Sequence, residues 1–200
     1  MQTLKEEIKS RIIEAAVKEF YHHGYEKASM RTIAKAAGIS VSNTYNYYKS
    51  KDELFVSIIE PVFNRLKDIL RQSFQQSMKS TAGNNLQSFI DGIVKMLLEM
   101  EAHERKLLLI LIEKSAGTKY EKSRDEIVNL LRMHFAEAVR KPGSPAQLEE
   151  SQTYILTIIA NNYIDGLFKI MKDYRSREWV EQNLRTILTY HLNGIKALVG

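Results

Sequence analysis

The hydrophobic positions along this chain recur at spacings of three and four, which is the period of an α-helix. From about residue 6 to residue 22, Ile12, Ala16 and Phe20 repeat every fourth position, which predicts an amphipathic helix that ends near Gly24. Alternation at every second position is scarce, and only three prolines and nine glycines interrupt the 200 residues. We therefore predict an all-α fold.

Serine and glycine residues predict the limits of the next two helices. Ser29 can cap a helix over residues 30–37 that Gly38 ends, and Ser40 can cap a third helix over residues 41–48. The connecting residues 36–40, with sequence Ala-Ala-Gly-Ile-Ser, combine small side chains, a glycine suited to left-handed backbone and an apolar residue. This pattern is typical of a helix-turn-helix, whose second helix enters the major groove of DNA.

Longer helices are predicted for the rest of the chain. Ser50 and Glu53 have the spacing of a capping box, so a fourth helix should run from Lys51 to about residue 79, with a kink or break at Pro61. Leu107–Ile112 is an apolar run that suits a buried strand, but its leucine content favours a buried helix. Further helices are predicted at about residues 85–101, 103–115, 120–141, 145–174 and 177–199, with loops near residues 80–85, 117 and 142–144.

The last two predicted helices are unusually apolar. Between Tyr154 and Met171, 12 of 18 residues are apolar and they are not confined to one stripe. The final helix adds a stripe of Val180, Leu184, Leu188, Leu192, Ile195 and Val199. We predict that this pair forms a homodimer interface, with a thick core as the alternative. Polar residues in such a region need partners, either a ligand or hydrogen bonds between subunits; the candidates are Tyr154, Asn161, Asn162 and Asp165.

Positive charge is concentrated near the helix-turn-helix. The chain has a formal net charge of +5, and the 25 residues from Lys27 to Lys51 contain five lysines or arginines and no acidic residue. Such a segment attracts phosphates. Lys27, Lys35 and Lys49 either serve that attraction or are simply solvated. Lys51 lies in the first turn of a helix, where a cation opposes the helix dipole, so we expect a phosphate partner to explain it.

Other functional classes receive little support from the sequence. There is no cysteine, no glycine-rich phosphate loop and no His-Glu-x-x-His motif, so we expect no cofactor, no metal site and no enzymatic activity. The N-terminus lacks a secretory pattern, and residues 154–171 are too polar to span a bilayer, so we expect a cytoplasmic protein without membrane contact. A helical module that binds an acidic protein or RNA remains the alternative to a DNA-binding regulator.

Residues 30–40 (Met-Arg-Thr-Ile-Ala-Lys-Ala-Ala-Gly-Ile-Ser) and 44–54 (Thr-Tyr-Asn-Tyr-Tyr-Lys-Ser-Lys-Asp-Glu-Leu) resemble the signature of TetR-family transcriptional regulators. The resemblance covers about residues 8–55 and includes Phe20, Gly24 and Tyr25. It departs from the family pattern at Asn43, where threonine is usual, and at Thr44, where leucine or isoleucine is usual. The first departure bears on base preference and the second places a hydroxyl in a partly buried position.

The resemblance implies a homodimer that binds a palindromic site on double-stranded DNA and is released by an unidentified small-molecule effector, as a repressor is. Residues 1–50 would form the DNA-binding domain, joined by the long fourth helix to an effector-binding and dimerisation domain within residues 51–200. By position, the residues that approach bases are Arg31, Val41, Ser42 and Asn43. Those that contact phosphates are Ser29, Thr32, Tyr45, Tyr47 and Lys51.

Overall fold

The computed structural model describes residues 2–79, 85–100, 102–138 and 149–197. Over these residues the regular structure is entirely helical, which confirms the all-α prediction. The helices are α1 (Gln2–Lys27), α2 (Met30–Ala37), α3 (Val41–Tyr47), α4 (Lys51–Lys79), α5 (Asn85–Glu99), α6 (Ala102–Glu113), α7 (Ser123–Ala138), α8 (Glu150–Lys172) and α9 (Arg177–Ala197).

The chain divides into two compact units. The first consists of Met1–Arg65 with Glu101–Arg124, and the second of Leu66–Met100 with Asp125–Gly200. These units do not coincide with the predicted domains, because the start of α4 and the whole of α6 pack with the N-terminal helices. The functional division into a DNA-binding part and an effector-binding part stays a prediction.

The ends of α2 and α3 follow the predicted signals. The Ser29 hydroxyl accepts a hydrogen bond from the backbone N–H of Arg31, and Gly38 ends α2 with left-handed backbone (φ 67°, ψ 36°). The Ser40 hydroxyl accepts from the N–H of Asn43 at 3.1 Å and so begins α3. The predicted helix-turn-helix is therefore confirmed as local structure, with α3 ending one residue earlier than predicted.

The start of α4 is capped, although not by the reciprocal pair that the sequence predicts. Ser50 Oγ accepts from the N–H of Glu53 at 3.0 Å, whereas the Glu53 carboxylate accepts from the N–H of Lys49 at 2.7 Å. The predicted break at Pro61 is wrong, since α4 continues through this residue. The predicted loops near residues 80–84 and 142–144 and the helix start at residues 145–148 lie outside the described residues.

Aromatic rings form much of the core of the first unit. Phe20 and Phe55 are both fully buried, and their ring centroids lie 4.9 Å apart in an edge-to-face arrangement. Tyr25 and Tyr120 add rings at 5.0 Å and 6.4 Å from Phe55. The apolar run Leu107–Ile112 is helical and buried throughout, which confirms the choice of helix over strand.

In the second unit α9 packs against α5 and α8. Val180, Leu184 and Leu188 are fully buried within the chain, so this part of the α9 stripe is core rather than a subunit interface. The interpretation of the stripe as an interface is wrong for these three residues, because their partners lie in the same chain. At Gly166 of α8 an added Cβ would collide with the Cδ1 atom of Ile187, which shows how closely α8 and α9 approach.

Candidate nucleic-acid interface

The outward face of α3 is polar and uncharged. Ser42, Tyr45 and Asn46 are exposed, Asn43 and Tyr47 are half-buried, and Val41 is 37% exposed. The opposite face packs inward: Thr44 is fully buried and donates from its hydroxyl to the Ser40 carbonyl at 3.2 Å. Tyr48 is also buried. The structure thus places the base-reading candidates of α3 together on an accessible surface.

Hydrogen bonds between side chains link neighbours on this face. The hydroxyl oxygens of Ser40 and Ser42 lie 3.2 Å apart, and Asn46 Nδ2 donates to Asn43 Oδ1 at 3.4 Å. Amide and hydroxyl groups of this kind can both donate and accept, as recognition of base edges in the major groove requires. The face therefore has the chemistry of a reading surface.

The exposed side of α2 adds the remaining candidates. Arg31, Thr32 and Lys35 are exposed, and Ser29 is half-buried at the helix start. The Ser29 oxygen accepts from the Arg31 N–H, which leaves its own proton available to donate. Lys27 and Lys49 are exposed as well. Cationic and hydroxyl-bearing side chains therefore flank the uncharged face of α3 in sequence and are accessible.

Lys51 has a structural role that the sequence did not reveal. Its ammonium donates to three backbone carbonyls at the end of α1: Tyr25 at 2.7 Å, Ala28 at 3.0 Å and Glu26 at 3.2 Å. It also lies 4.3 Å from the centroid of the Tyr25 ring. The argument that nothing in the fold favours a lysine here is wrong, because these carbonyls, 23 to 26 residues away, are its partners. Its phosphate contact stays a prediction.

Two further contacts hold the helix-turn-helix on α1 and α6. The Arg11 guanidinium donates to the Ala37 carbonyl and, at 3.3 Å, to that of Gly38, next to the turn between α2 and α3. The Tyr25 N–H donates to the Lys114 carbonyl at 2.9 Å, which ties the end of α1 to the end of α6. The reading surface is thus supported by hydrogen bonds to backbone atoms.

The predicted effector candidates on α8 are not buried polar groups. Tyr154 is 69% exposed, and Asn162 and Asp165 are exposed. Asn161 is half-buried and donates from Nδ2 to the Thr157 carbonyl at 2.9 Å. The premise of burial is wrong for these residues, because the helix turns this face outward. The alternative, hydrogen bonds between subunits, remains open.

Among the described residues of the second unit, the buried polar side chains are two histidines and a tyrosine. His134, Tyr163 and His191 are 4%, 2% and 8% exposed. Burial lowers the pKa of His134 to about 4, lowers that of His191 and raises that of Tyr163. The sequence interpretation missed Tyr163, because a tyrosine on an apolar helix looks like ordinary core and each histidine stands alone.

The described part of the chain contains no group of three or more His, Asp or Glu side chains placed to hold a metal ion. None of the helices in this part combines the length and apolar character that crossing a bilayer needs.

Comparison with known proteins identifies the family. Residues 12–58, which contain the helix-turn-helix and the exposed face of α3, match the model of the N-terminal region of bacterial regulatory proteins of the tetR family. This part of the chain belongs to the TetR family. The match covers the part in which the sequence motifs lie.

Relatives within the TetR family are transcriptional regulators. YhgD of Bacillus subtilis is 31% identical over 70 residues, 35% of this chain and 37% of that protein. TtgR of Pseudomonas putida is 23% identical over 172 residues, 82% of this chain and 80% of that protein. The more similar match thus spans little more than a third of the relative's length.

Solved structures with a similar fold extend the comparison to the rest of the chain. FadR of Bacillus subtilis, a transcriptional regulator solved in complex with stearoyl-CoA, superposes with a TM-score of 0.58 at 18% identity. The match covers 93% of this chain and 98% of that one. The TetR fold of an N-terminal helix-turn-helix followed by further helices therefore extends beyond the residues that the family model matches.

Proposed function

We propose that this protein is a ligand-responsive transcriptional repressor that binds a palindromic operator as a homodimer and is released by a small-molecule effector. The observation that carries the proposal is the face of α3, which is exposed, uncharged and rich in hydrogen-bonding groups, and whose opposite side is buried at Thr44. In a dimer the two reading helices would enter successive major grooves, about 34–36 Å apart.

We assign two kinds of DNA contact. Arg31, Val41, Ser42 and Asn43 read bases, because they lie at the exposed start of α3 or on the neighbouring helix. Ser29, Thr32, Tyr45 and Tyr47 bind phosphates through their hydroxyl groups. Lys51 was assigned to a phosphate from the sequence, and its three carbonyl partners now offer a second role. The salt dependence of binding distinguishes the two roles.

Selection of bound duplexes from a random library tests the proposal. The wild-type protein should enrich a palindrome. Asn43→Ala should change the preferred bases, whereas Tyr45→Phe should weaken binding to all sequences about equally, since it removes a phosphate contact. Tyr174→Phe, which removes the hydroxyl of another exposed tyrosine outside the helix-turn-helix, is the matched control.

Two outcomes would contradict this assignment. Enrichment of no sequence, with affinity that falls steeply as salt rises, would favour the helical module that binds RNA or an acidic protein. If Asn43→Ala weakened binding to every sequence equally, Asn43 would not be a base-reading residue. The proposal that the protein binds DNA would not be affected by that result.

Dimerisation is proposed through α8 and α9. Tyr154, Ile155 and Ile158 are exposed apolar residues on one face of α8, and Tyr190 is 74% exposed on α9. The same face of α8 continues with Asn162 and Asp165, which could form hydrogen bonds to a second copy. Exposed apolar side chains at helical spacing are typical of a subunit interface.

A charge placed on this face tests the dimer. Ile158→Asp should convert the protein to a monomer in analytical ultracentrifugation, because the unpaired carboxylate would be buried on association. Met133→Asp on α7 is the control, since Met133 is also an exposed apolar residue. Dissociation by the control alone would place the interface elsewhere.

The proposal that an effector regulates this protein rests on the family resemblance and on a structural neighbour. FadR, whose fold this chain shares, was solved with stearoyl-CoA, so a fold of this kind can hold a ligand. We infer that the present protein acts by binding DNA and an effector rather than by catalysis, and that it works on DNA in the cytoplasm. An effector can release DNA only if it binds the non-operator conformation more tightly.

A further inference from the structure

Tyr163 is a buried polar side chain without an evident structural purpose. It lies on α8 with 2% of its surface exposed, between the ring of Phe135 at 5.7 Å and that of His191 at 5.8 Å. Its hydroxyl has no hydrogen-bond partner among the described residues. Buried polar groups nearly always have partners, so a group of this kind requires an explanation. A bound ligand would supply the missing partner.

The buried interior of the described residues holds no charged side chain at neutral pH. The buried side chains of the described residues include no Asp, Glu, Lys or Arg. Burial lowers the pKa of His134 to about 4 and lowers that of His191, so both imidazoles are neutral. An ionised ligand group would find no counter-charge in this interior and would lose its hydration. An uncharged ligand is therefore favoured.

Flexible side chains in the same unit allow the interior to adapt. Met96, Met100 and Met171 are at most 8% exposed, and all three belong to the second unit. Methionine has three rotatable bonds and a polarisable sulfur, so it repacks around inserted apolar groups more readily than branched side chains do. The second unit thus contains one available buried hydroxyl and three buried methionines.

We propose that Tyr163 is the recognition residue of an effector site inside the second unit, and that its hydroxyl donates a hydrogen bond to an oxygen of an uncharged, largely apolar molecule. The proposal rests on the proposed function, because it names the chemical class of the effector. Ketones, esters and lactones have the required acceptor, whereas carboxylates and phosphates do not fit an interior without cations.

Fluorescence titration of the full chain with Prodan tests the proposal. Prodan is an uncharged naphthalene with one ketone oxygen, and hydrogen bonding to that ketone shifts its emission to longer wavelength. The wild type should bind it, and Tyr163→Phe should bind about fivefold more weakly, the usual effect of one hydrogen bond. The emission of the variant complex should shift to shorter wavelength.

Tyr48→Phe is the matched control. The Tyr48 hydroxyl is likewise buried and lacks a hydrogen-bond partner among the described residues, but it lies at the end of α3 in the first unit. The same atom is removed from a similar environment, so Prodan affinity should be unchanged. Equal losses in Tyr48→Phe and Tyr163→Phe would show an indirect effect and overturn the proposal.

Three further outcomes of the dye titrations would contradict the proposal. Failure of the wild type to bind Prodan, equal affinity in Tyr163→Phe, or tighter binding of the anionic dye 1-anilinonaphthalene-8-sulfonate would each overturn the proposal. The affinity of the same proteins for operator DNA is measured without dye. This measurement distinguishes failure of the effector-site proposal from failure of the proposed DNA-binding function. If Tyr163→Phe binds both DNA and Prodan as the wild type does, only the role of Tyr163 is rejected.

Discussion

Some buried polar side chains of the first unit differ from Tyr163 of the second unit in whether they have a hydrogen-bond partner. In the first unit, buried or half-buried hydroxyl and ammonium groups bond to backbone carbonyls: Ser115 and Ser123 to Leu111, Thr44 to Ser40, and Lys51 to the end of α1. In the second unit, the Tyr163 hydroxyl is surrounded by rings and has no partner among the described residues. The contrast belongs to Tyr163 and not to every polar group of each unit, because the Tyr48 hydroxyl of the first unit also lacks a described partner, and Thr157 and Asn161 of the second unit do donate to backbone carbonyls.

This difference matches the two tasks of a ligand-responsive regulator. A reading helix must present its side chains in a fixed geometry, because base recognition depends on the positions of donors and acceptors. An effector site must instead leave some interactions unmade until the ligand arrives. The predictions below test the contrast, beginning with the largest expected effect.

Phe55→Ala should lower the free energy of unfolding by about 3–5 kcal/mol, the usual effect of removing a buried phenyl ring. Phe55 is fully buried against Phe20, Tyr25 and Tyr120, so a cavity would remain in the support of the reading helix. Urea denaturation followed by circular dichroism measures the loss. Phe55→Leu, which keeps most of the volume, should lose much less, and equal losses would contradict tight packing.

Acid should destabilise the second unit through His134. Its pKa is about 4 in the folded chain and about 6.5 when unfolded, so the unfolded state binds more protons between these values. Stability is fully present above about pH 6.5 and is lost as the pH falls, by about 2 kcal/mol at pH 5. Fluorescence of Trp179, the single tryptophan, reports unfolding of this unit. His134→Leu should remove this part of the pH dependence, and an unchanged pH profile would disprove it.

Lys51→Met should lower the free energy of unfolding by about 2 kcal/mol, because three carbonyls lose a charged donor. Lys49→Met, which removes the same charge from an exposed position, should change stability little. Titrations with operator DNA at several salt concentrations separate the two roles of Lys51. A positioning role leaves the salt slope unchanged, whereas a lost phosphate contact reduces it by about one unit.

These residues show why the sequence predicts some features and not others. The limits of α2 and α3 depend on Ser29, Gly38 and Ser40, which act on backbone within three or four residues, so local reasoning finds them. The partners of Lys51 lie more than 20 residues away, and no local pattern reveals them. Helix α4 passes through Pro61, although a proline usually interrupts a helix.

The second unit was harder to interpret because its helices are apolar on more than one side. On α8 the exposed face carries both isoleucines and asparagines, so the periodicity did not show which polar residues were buried. Tyr163 counts as hydrophobic in any pattern, and only the fold shows that its hydroxyl lies in the interior. The helix limits and exposed positions of α2 and α3 were therefore predictable residue by residue, whereas the burial of the Tyr163 hydroxyl was not.

The smallest expected effects provide the sharpest test of the contrast, because removing one hydroxyl should have opposite consequences in the two units. Ser123→Ala removes a buried hydroxyl that donates to the Leu111 carbonyl at 2.9 Å, so it should lower the free energy of unfolding by about 1 kcal/mol. Tyr163→Phe removes a hydroxyl that has no described partner, so it should leave stability unchanged or raise it by up to about 1 kcal/mol. Urea denaturation of both variants, monitored at the same wavelength as the wild type, measures the pair. A loss for Tyr163→Phe as large as that for Ser123→Ala would mean that the tyrosine is held by the protein itself, and the contrast between the units would disappear.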